Sequence, residues 1–190
     1  MKLLNRYFFA GIGVGMVLTV AAIVGLVFWY YQFTSGIPGR EPPYPASEYI
    51  QPRGRADLNW KLKQIDGTVV SLQDMKGSVI FLNLWATWCG PCVAEMPSIQ
   101  KLHDSMKGQD VRFVLVSDED VEVIGKFAKK QGFEIPFYSS ASEMPATYSR
   151  DGVPLTYIIG RSGEIFFHHL GKADWSTEAS QSFLRAVLSH

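Results

Sequence analysis

Two cysteines and four histidines are all that this 190-residue chain offers as thiol or imidazole groups. Two thiols cannot build the multi-bridge framework of a small secreted scaffold, nor a four-thiolate zinc site. Excess charge is missing as well. Eighteen basic side chains balance 18 acidic ones, so there is no net pull toward nucleic acid, whose binding rests on neutralising phosphates with Lys and Arg. The 17 glycines and 10 prolines are too few for a low-complexity or collagen-like chain. No internal repeat is visible. Between residues 7 and 39 there is no charged residue at all.

That charge-free stretch contains a nearly unbroken apolar run over residues 8–31. As a helix with about 1.5 Å rise per residue it would reach about 36 Å, enough to cross a hydrocarbon core of about 30 Å. Tyr7, Phe8 and Phe9 at one end and Trp29, Tyr30 and Tyr31 at the other match an interfacial aromatic belt. Lys2 and Arg6 precede the run, whereas Arg40 beyond it is followed at once by Glu41. The positive-inside bias then makes residues 1–7 a cytoplasmic N-terminus and puts the rest of the chain outside. A cleaved signal peptide would have a shorter apolar run and a small-x-small site; here the run ends in Phe28-Trp29-Tyr30-Tyr31. The expectation is an uncleaved, single-pass anchor in the inner membrane, contacting the bilayer through residues 8–31, with a periplasmic or extracytoplasmic domain. Residues 32–55 carry Pro38, Pro42, Pro43, Pro45 and Pro52 and read as an extended spacer. Residues 56–190 remain for one domain.

Within 56–190 the hydrophobic periodicity alternates between strand and helix. Leu58, Trp60 and Leu62 alternate with polar residues, Asp66-Gly67 is a hairpin-turn signal, and residues 69–72 form the return strand. Residues 79–85 are apolar enough for a buried central strand. A helix carrying Ala94, Ile99, Leu102 and Met106 follows, with Pro97 as a kink. A second buried strand spans 111–117, and a helix over 120–131 is closed by Gly132. Strands over 155–160 and 165–169 meet at Arg161-Ser162-Gly163-Glu164, and a last amphipathic helix over 176–188 takes Ser176 as its N-cap. The pattern predicts an α/β fold, a mixed sheet flanked by helices with an N-terminal hairpin extension.

The chemistry is concentrated in Trp88-Cys89-Gly90-Pro91-Cys92, where strand passes into helix. Thiols at this spacing can close a disulfide. Cys89 at the helix start meets unpaired N–H groups and the positive end of the helix dipole, which favour its thiolate. Cys92, one turn in, is the more buried, resolving thiol, and Pro91 fits the first turn, where its missing N–H is not needed. Zinc would need a third ligand at suitable spacing, and covalent haem attachment a His where Val93 stands. A purely structural disulfide is the bland alternative; closing so short a loop makes it a poor staple.

The segment Asn83-Leu84-Trp85-Ala86-Thr87-Trp88-Cys89-Gly90-Pro91-Cys92 resembles the active-site strand and loop of the thioredoxin superfamily. With Leu72-Gln73-Asp74-Met75-Lys76-Gly77, Glu95-Met96-Pro97 and Gly152-Val153-Pro154, it resembles more narrowly the membrane-anchored TlpA/ResA-like thiol-disulfide oxidoreductases. The resemblance spans essentially all of 56–190. It implies a thioredoxin-like fold, Cys89 as attacking thiol, Cys92 as resolver, and a cis peptide before Pro154. That cis bond would offer the Val153 backbone to an extended substrate. Trp88, Gly90 and Pro91 complete the expected substrate-contacting set, and Trp85 is expected in the core. No cofactor beyond the redox-active disulfide is implied.

Thioredoxin has a buried Asp where this chain has Asn83, and an amide cannot carry that proton. The resemblance implies Glu95 instead, three residues after Cys92 and on the same side of the helix; burial would raise its pKa into a useful range. The Gly90-Pro91 pair is thioredoxin's, a reductant at roughly −270 mV. The expected function is therefore reduction of protein disulfides, for example in cytochrome c maturation, with electrons from a membrane thiol reductant relay. The alternatives are a dithiol oxidase of the same fold and a non-enzymatic, membrane-tethered copper-delivery or binding module.

Overall fold

The computed structural model describes residues 16–29, 41–45, 50–149 and 151–190. The chain divides into two compact units, Met1–Ile37 and Pro38–His190. In the first, residues 16–29 form a helix whose side chains are exposed. At 1.5 Å per residue these described residues account for about 21 Å, less than the roughly 30 Å hydrocarbon core. No helix among the described residues is long and apolar enough to cross a membrane. This removes the expected transmembrane helix from the fold, and with it the inner-membrane, periplasmic placement built upon it. The physical reason is one of length: spanning needs about 20 continuous helical residues, and the helix described over residues 16–29 supplies fewer. Residues 1–15 and 30–40, which hold the expected cytoplasmic end, both ends of the expected span and the start of the expected spacer, lie outside the described residues.

The second unit contains the expected thioredoxin-like mixed sheet flanked by helices. Its elements are β1 (Lys61–Gln64), β2 (Val69–Ser71), β3 (Val79–Leu84), α1 (Gly90–Ser105), β4 (Val111–Ser117), α2 (Val121–Gln131), β5 (Phe137–Ser140), β6 (Leu155–Ile159), β7 (Ile165–Leu170) and α3 (Glu178–Leu188). A 3-10 turn at Leu72–Met75 is closed by a capping box between Ser71 and Asp74. The sheet has seven strands in the order β2-β1-β5-β4-β3-β6-β7. The pairs β3/β4 and β4/β5 are parallel and the others antiparallel.

β3 reads Val-Ile-Phe-Leu-Asn-Leu and is buried throughout, as a central strand covered on both faces must be. Its alternation sorts the core into two layers. Val79 and Phe81 join Phe113, Leu115 and Ile158 against Met96, Ile99 and Leu102 of α1 and Leu184 of α3. Ile80, Leu82 and Leu84 join Val114, Val116 and Tyr157 beneath Leu58, Trp60, Leu72 and Tyr148.

Two local details differ from the sequence reading. β5 is a strand that periodicity does not reveal, because Phe-Tyr-Ser-Ser is four residues long and half polar. It is nonetheless the piece that joins the hairpin to the sheet, pairing with β1 on one side and β4 on the other. The N-cap of α3 is Thr177, whose hydroxyl accepts from the Ser180 N–H. Ser176 instead donates its N–H and hydroxyl to Asp174. Upstream, Tyr44 stacks on Phe183 with ring centroids 4.6 Å apart and donates its hydroxyl to Ser180 at 3.0 Å. Ile50 is also buried in the core.

Candidate active site

The site forms where β3 delivers the chain to α1. Cys89 is the N-cap of α1, and its sulfur accepts from the Cys92 N–H at 3.2 Å. Cys89 and Cys92 are joined in a disulfide with Cα atoms 5.2 Å apart. The two sulfurs are not equivalent in setting. Cys92 is fully buried, Cys89 retains 5% exposure, and the adjoining Trp88 is 75% exposed. Gly90 and Pro91 are exposed at the helix start.

The peptide bond between Val153 and Pro154 is cis. It lies against the disulfide, with the Val153 carbonyl oxygen 3.7 Å from Cys89 Sγ. Pro154 is buried and Val153 half-buried. The loop ahead of the cysteines is held by a residue that the sequence reading did not single out. Glu119, just beyond β4, accepts from both the Thr87 N–H and the Thr87 hydroxyl, and from the Ser117 hydroxyl at 2.9 Å. Its own carbonyl accepts from Ser139. In the sequence Glu119 is one member of an Asp-Glu-Asp run, and nothing local separates it from its neighbours.

Behind the disulfide lies a buried carboxyl. Glu95 on α1 is 1% exposed. Asn83 Nδ2 donates to its Oε1 at 2.9 Å, while the Ala173 N–H and Trp175 Nε1 each donate to Oε2 at 3.1 Å. Burial pushes the Glu95 carboxyl up from 4.5 to about 7, against the opposing pull of these three donors and of the Lys172 charge. The same Asn83 amide nitrogen donates to Thr156 Oγ1, and Asn83 Oδ1 has no partner among the described residues. Asn83 therefore does not replace a proton carrier. It holds the Glu95 carboxyl of α1 by a hydrogen bond.

A groove of about 930 Å³ opens beside the disulfide, lined among others by Trp60, Trp85, Trp88, Met144 and Val153. Trp85 is buried, as expected from the sequence. His168 and His169 point to opposite faces of β7, one ring beside Tyr157 and the other beside Trp175. Among the described residues no group of three or more His, Cys, Asp or Glu is placed to hold a metal ion.

The AhpC/TSA family model matches residues 54–167. Thiol-disulfide oxidoreductase ResA of Bacillus cereus is 28% identical over 136 residues, which cover 70% of this chain and 78% of that protein. The thioredoxin-like protein YneN of Bacillus subtilis is 33% identical over 132 residues, covering 67% of this chain and 77% of that one. Among solved structures, a Chlorobium tepidum protein assigned as a thiol:disulfide interchange protein, DsbE, superposes with a TM-score of 0.62. It is 28% identical and aligns over 73% of this chain and 99% of its own.

Proposed function

Because the chain belongs to the AhpC/TSA family and is an enzyme of the thiol-disulfide oxidoreductase type with a ResA-like thioredoxin fold, we propose that it reduces disulfides in protein substrates through Cys89 and Cys92. The Cys89 thiolate attacks one sulfur of the substrate disulfide, forming a mixed disulfide and releasing the other substrate sulfur as a thiolate. The Cys92 thiolate then attacks Cys89 Sγ, which frees the second substrate thiol and leaves the Cys89–Cys92 disulfide. Two electrons pass from the dithiol to the substrate. A dithiol reductant must return them before the next cycle.

The observation that carries this reading is the asymmetry of the pair: Cys89 sits at the helix N-cap beside the Val153 carbonyl, and Cys92 is fully enclosed. Unpaired N–H groups and the helix dipole stabilise a thiolate at Cys89, and closure around Cys92 keeps outside sulfur from it. In this reading Glu95, with a carboxyl at about 7, exchanges a proton with Cys92 as that thiol becomes a nucleophile. Trp88, Gly90 and Pro91 provide the contact surface, and the backbone at Val153 and Pro154 pairs with an extended substrate segment. The Gly90-Pro91 pair, shared with thioredoxin, favours the reducing direction over oxidase chemistry.

Two measurements test it. Alkylation of the reduced enzyme near neutral pH labels Cys89 much faster than Cys92; equal rates would remove the division of labour. Cys92→Ala accumulates a one-to-one mixed disulfide on Cys89 when given a protein disulfide, read by mass spectrometry.

A further inference from the structure

The hydrogen bonds around Glu95 are drawn for one of its two protonation states. Each of the three groups bonded to it is a donor: the Asn83 amide at Oε1, and the Ala173 N–H and Trp175 Nε1 at Oε2. That set suits the carboxylate. The neutral acid has a proton of its own to place, and a buried O–H without an acceptor is costly. Burial pushes this carboxyl up to about 7, so both forms are populated near neutral pH.

An acceptor stands on the amide already bonded to it. Asn83 is fully buried on β3, and its Oδ1 has no partner among the described residues. Its Nδ2 donates twice, to Glu95 Oε1 and to Thr156 Oγ1, each at 2.9 Å. Thr156 is its register partner on β6 and is buried as well. The oxygen and nitrogen of an amide are nearly equal in size, and a half-turn about the last side-chain bond exchanges them. After that half-turn Oδ1 stands where Nδ2 stood. Its two lone pairs then meet two donors, the Glu95 hydroxyl and the Thr156 hydroxyl, which donates as readily as it accepts.

We propose that Asn83 is a positioning residue whose amide turns over with the charge of Glu95, donating to the carboxylate and accepting from the acid, while Thr156 reverses its own hydrogen bond. The inference rests on the reading of Glu95 as the group that exchanges a proton with Cys92. One proton moves between Glu95 and Cys92; Asn83 gains and loses none, and no electron passes through it. The trio keeps the buried carboxyl hydrogen-bonded before and after the transfer. An ionised Asp in place of Asn83 would have no hydrogen to give the carboxylate.

Other titrating or charged groups surround the carboxyl. Cys92 lies three residues back on α1, Lys172 and Asp174 flank Ala173, and His169 of β7 packs its ring beside Trp175. The test therefore uses the disulfide form, in which Cys92 does not titrate. His169 is followed by its own ring signals; burial holds its pKa below the usual imidazole value.

The full chain, isotope-labelled at the Asn side-chain nitrogen and the Glu carboxyl carbon, is titrated by NMR from about pH 5 to about pH 9. As Glu95 is protonated, the Asn83 Nδ2 hydrogens shift upfield, because both leave their hydrogen bonds. Their cross-relaxation with the Thr156 and Glu95 side chains is lost. The midpoint coincides with that of the Glu95 carboxyl carbon, near 7, and in Glu95→Gln the Asn83 signals no longer titrate. Asn83 signals that stay fixed while the Glu95 carbon titrates near 7 overturn the amide inference and leave the Glu95 reading standing. Asn83 signals that still titrate in Glu95→Gln also overturn it. A Glu95 carbon that titrates near 4.5 overturns the Glu95 reading with it.

Discussion

The two sides of the Cys89–Cys92 disulfide use the same functional group, the carboxyl, in opposite environments. On the groove side, Asp118 and Glu143 are exposed, so water screens their charge. On the core side, Glu95 is enclosed by α1, β3 and the segment that carries Ala173 and Trp175. Desolvation there shifts its proton affinity toward neutrality, so it can act on a bond that is changing. Distance from bulk water, more than residue type, separates a charge suited to recognition from a group suited to proton transfer.

The strongest test of that contrast removes the sulfur itself. Cys89→Ser abolishes reduction, leaving the background rate, whereas Cys92→Ala stops after the first exchange; a gel-shift assay for mixed disulfide separates the two.

Next in size is Glu95→Gln, which slows the proton-transfer step by about 10²–10⁴-fold and removes the pH inflection near 7 set by this carboxyl. Stability responds in the other direction. The unfolded chain loses the Glu95 proton near 4.5, while the folded protein keeps it up to about 7. Across that window the contribution of Glu95 to stability falls as pH rises, and above about 7 the whole penalty is present. Glu95→Gln therefore gains on the wild type between pH 4 and pH 8, by up to about 3 kcal/mol, as denaturant titrations at the two pH values would show. An unchanged difference would mean that Glu95 is not held protonated by burial.

Trp175→Phe deletes one donor to Glu95 Oε2. A hydrogen bond to a carboxylate favours the charged form, so its loss moves the kinetic inflection upward, by about one pH unit; a downward shift would contradict the arrangement. Smallest is Tyr44→Phe, which removes the hydrogen bond to Ser180. Ser180 retains Thr177 as a partner, so about 1 kcal/mol of stability is lost and the reduction rate is unchanged.

Legibility in the sequence followed the range of the interactions. The buried alternation of β3 and β4, the Gly132 stop of α2 and the hairpin turn at Asp66-Gly67 rest on neighbouring residues and were readable. β5 was not, because a four-residue strand has no period to detect and its pairing partners lie far away in sequence. The α3 cap moved by one residue because Asp174 competes for Ser176. The expected membrane span was not borne out, because no helix among the described residues is long and apolar enough to cross a membrane.

By itself the sequence determined the redox pair, its place at a strand-to-helix junction and the alternating strands and helices that make a thioredoxin-like sheet. All of these are patterns of spacing within about one turn or one strand. Only the tertiary structure decided what surrounds the pair. The donors that pin Glu95 Oε2 stand 78 and 80 residues away from it, Trp60 meets Ser140 across 80 residues, and the Val153 carbonyl reaches Cys89 from 64 residues on. No local periodicity encodes such contacts; they exist because packing the sheet's two faces brings these segments together, and proton affinity and groove chemistry are set by that packing.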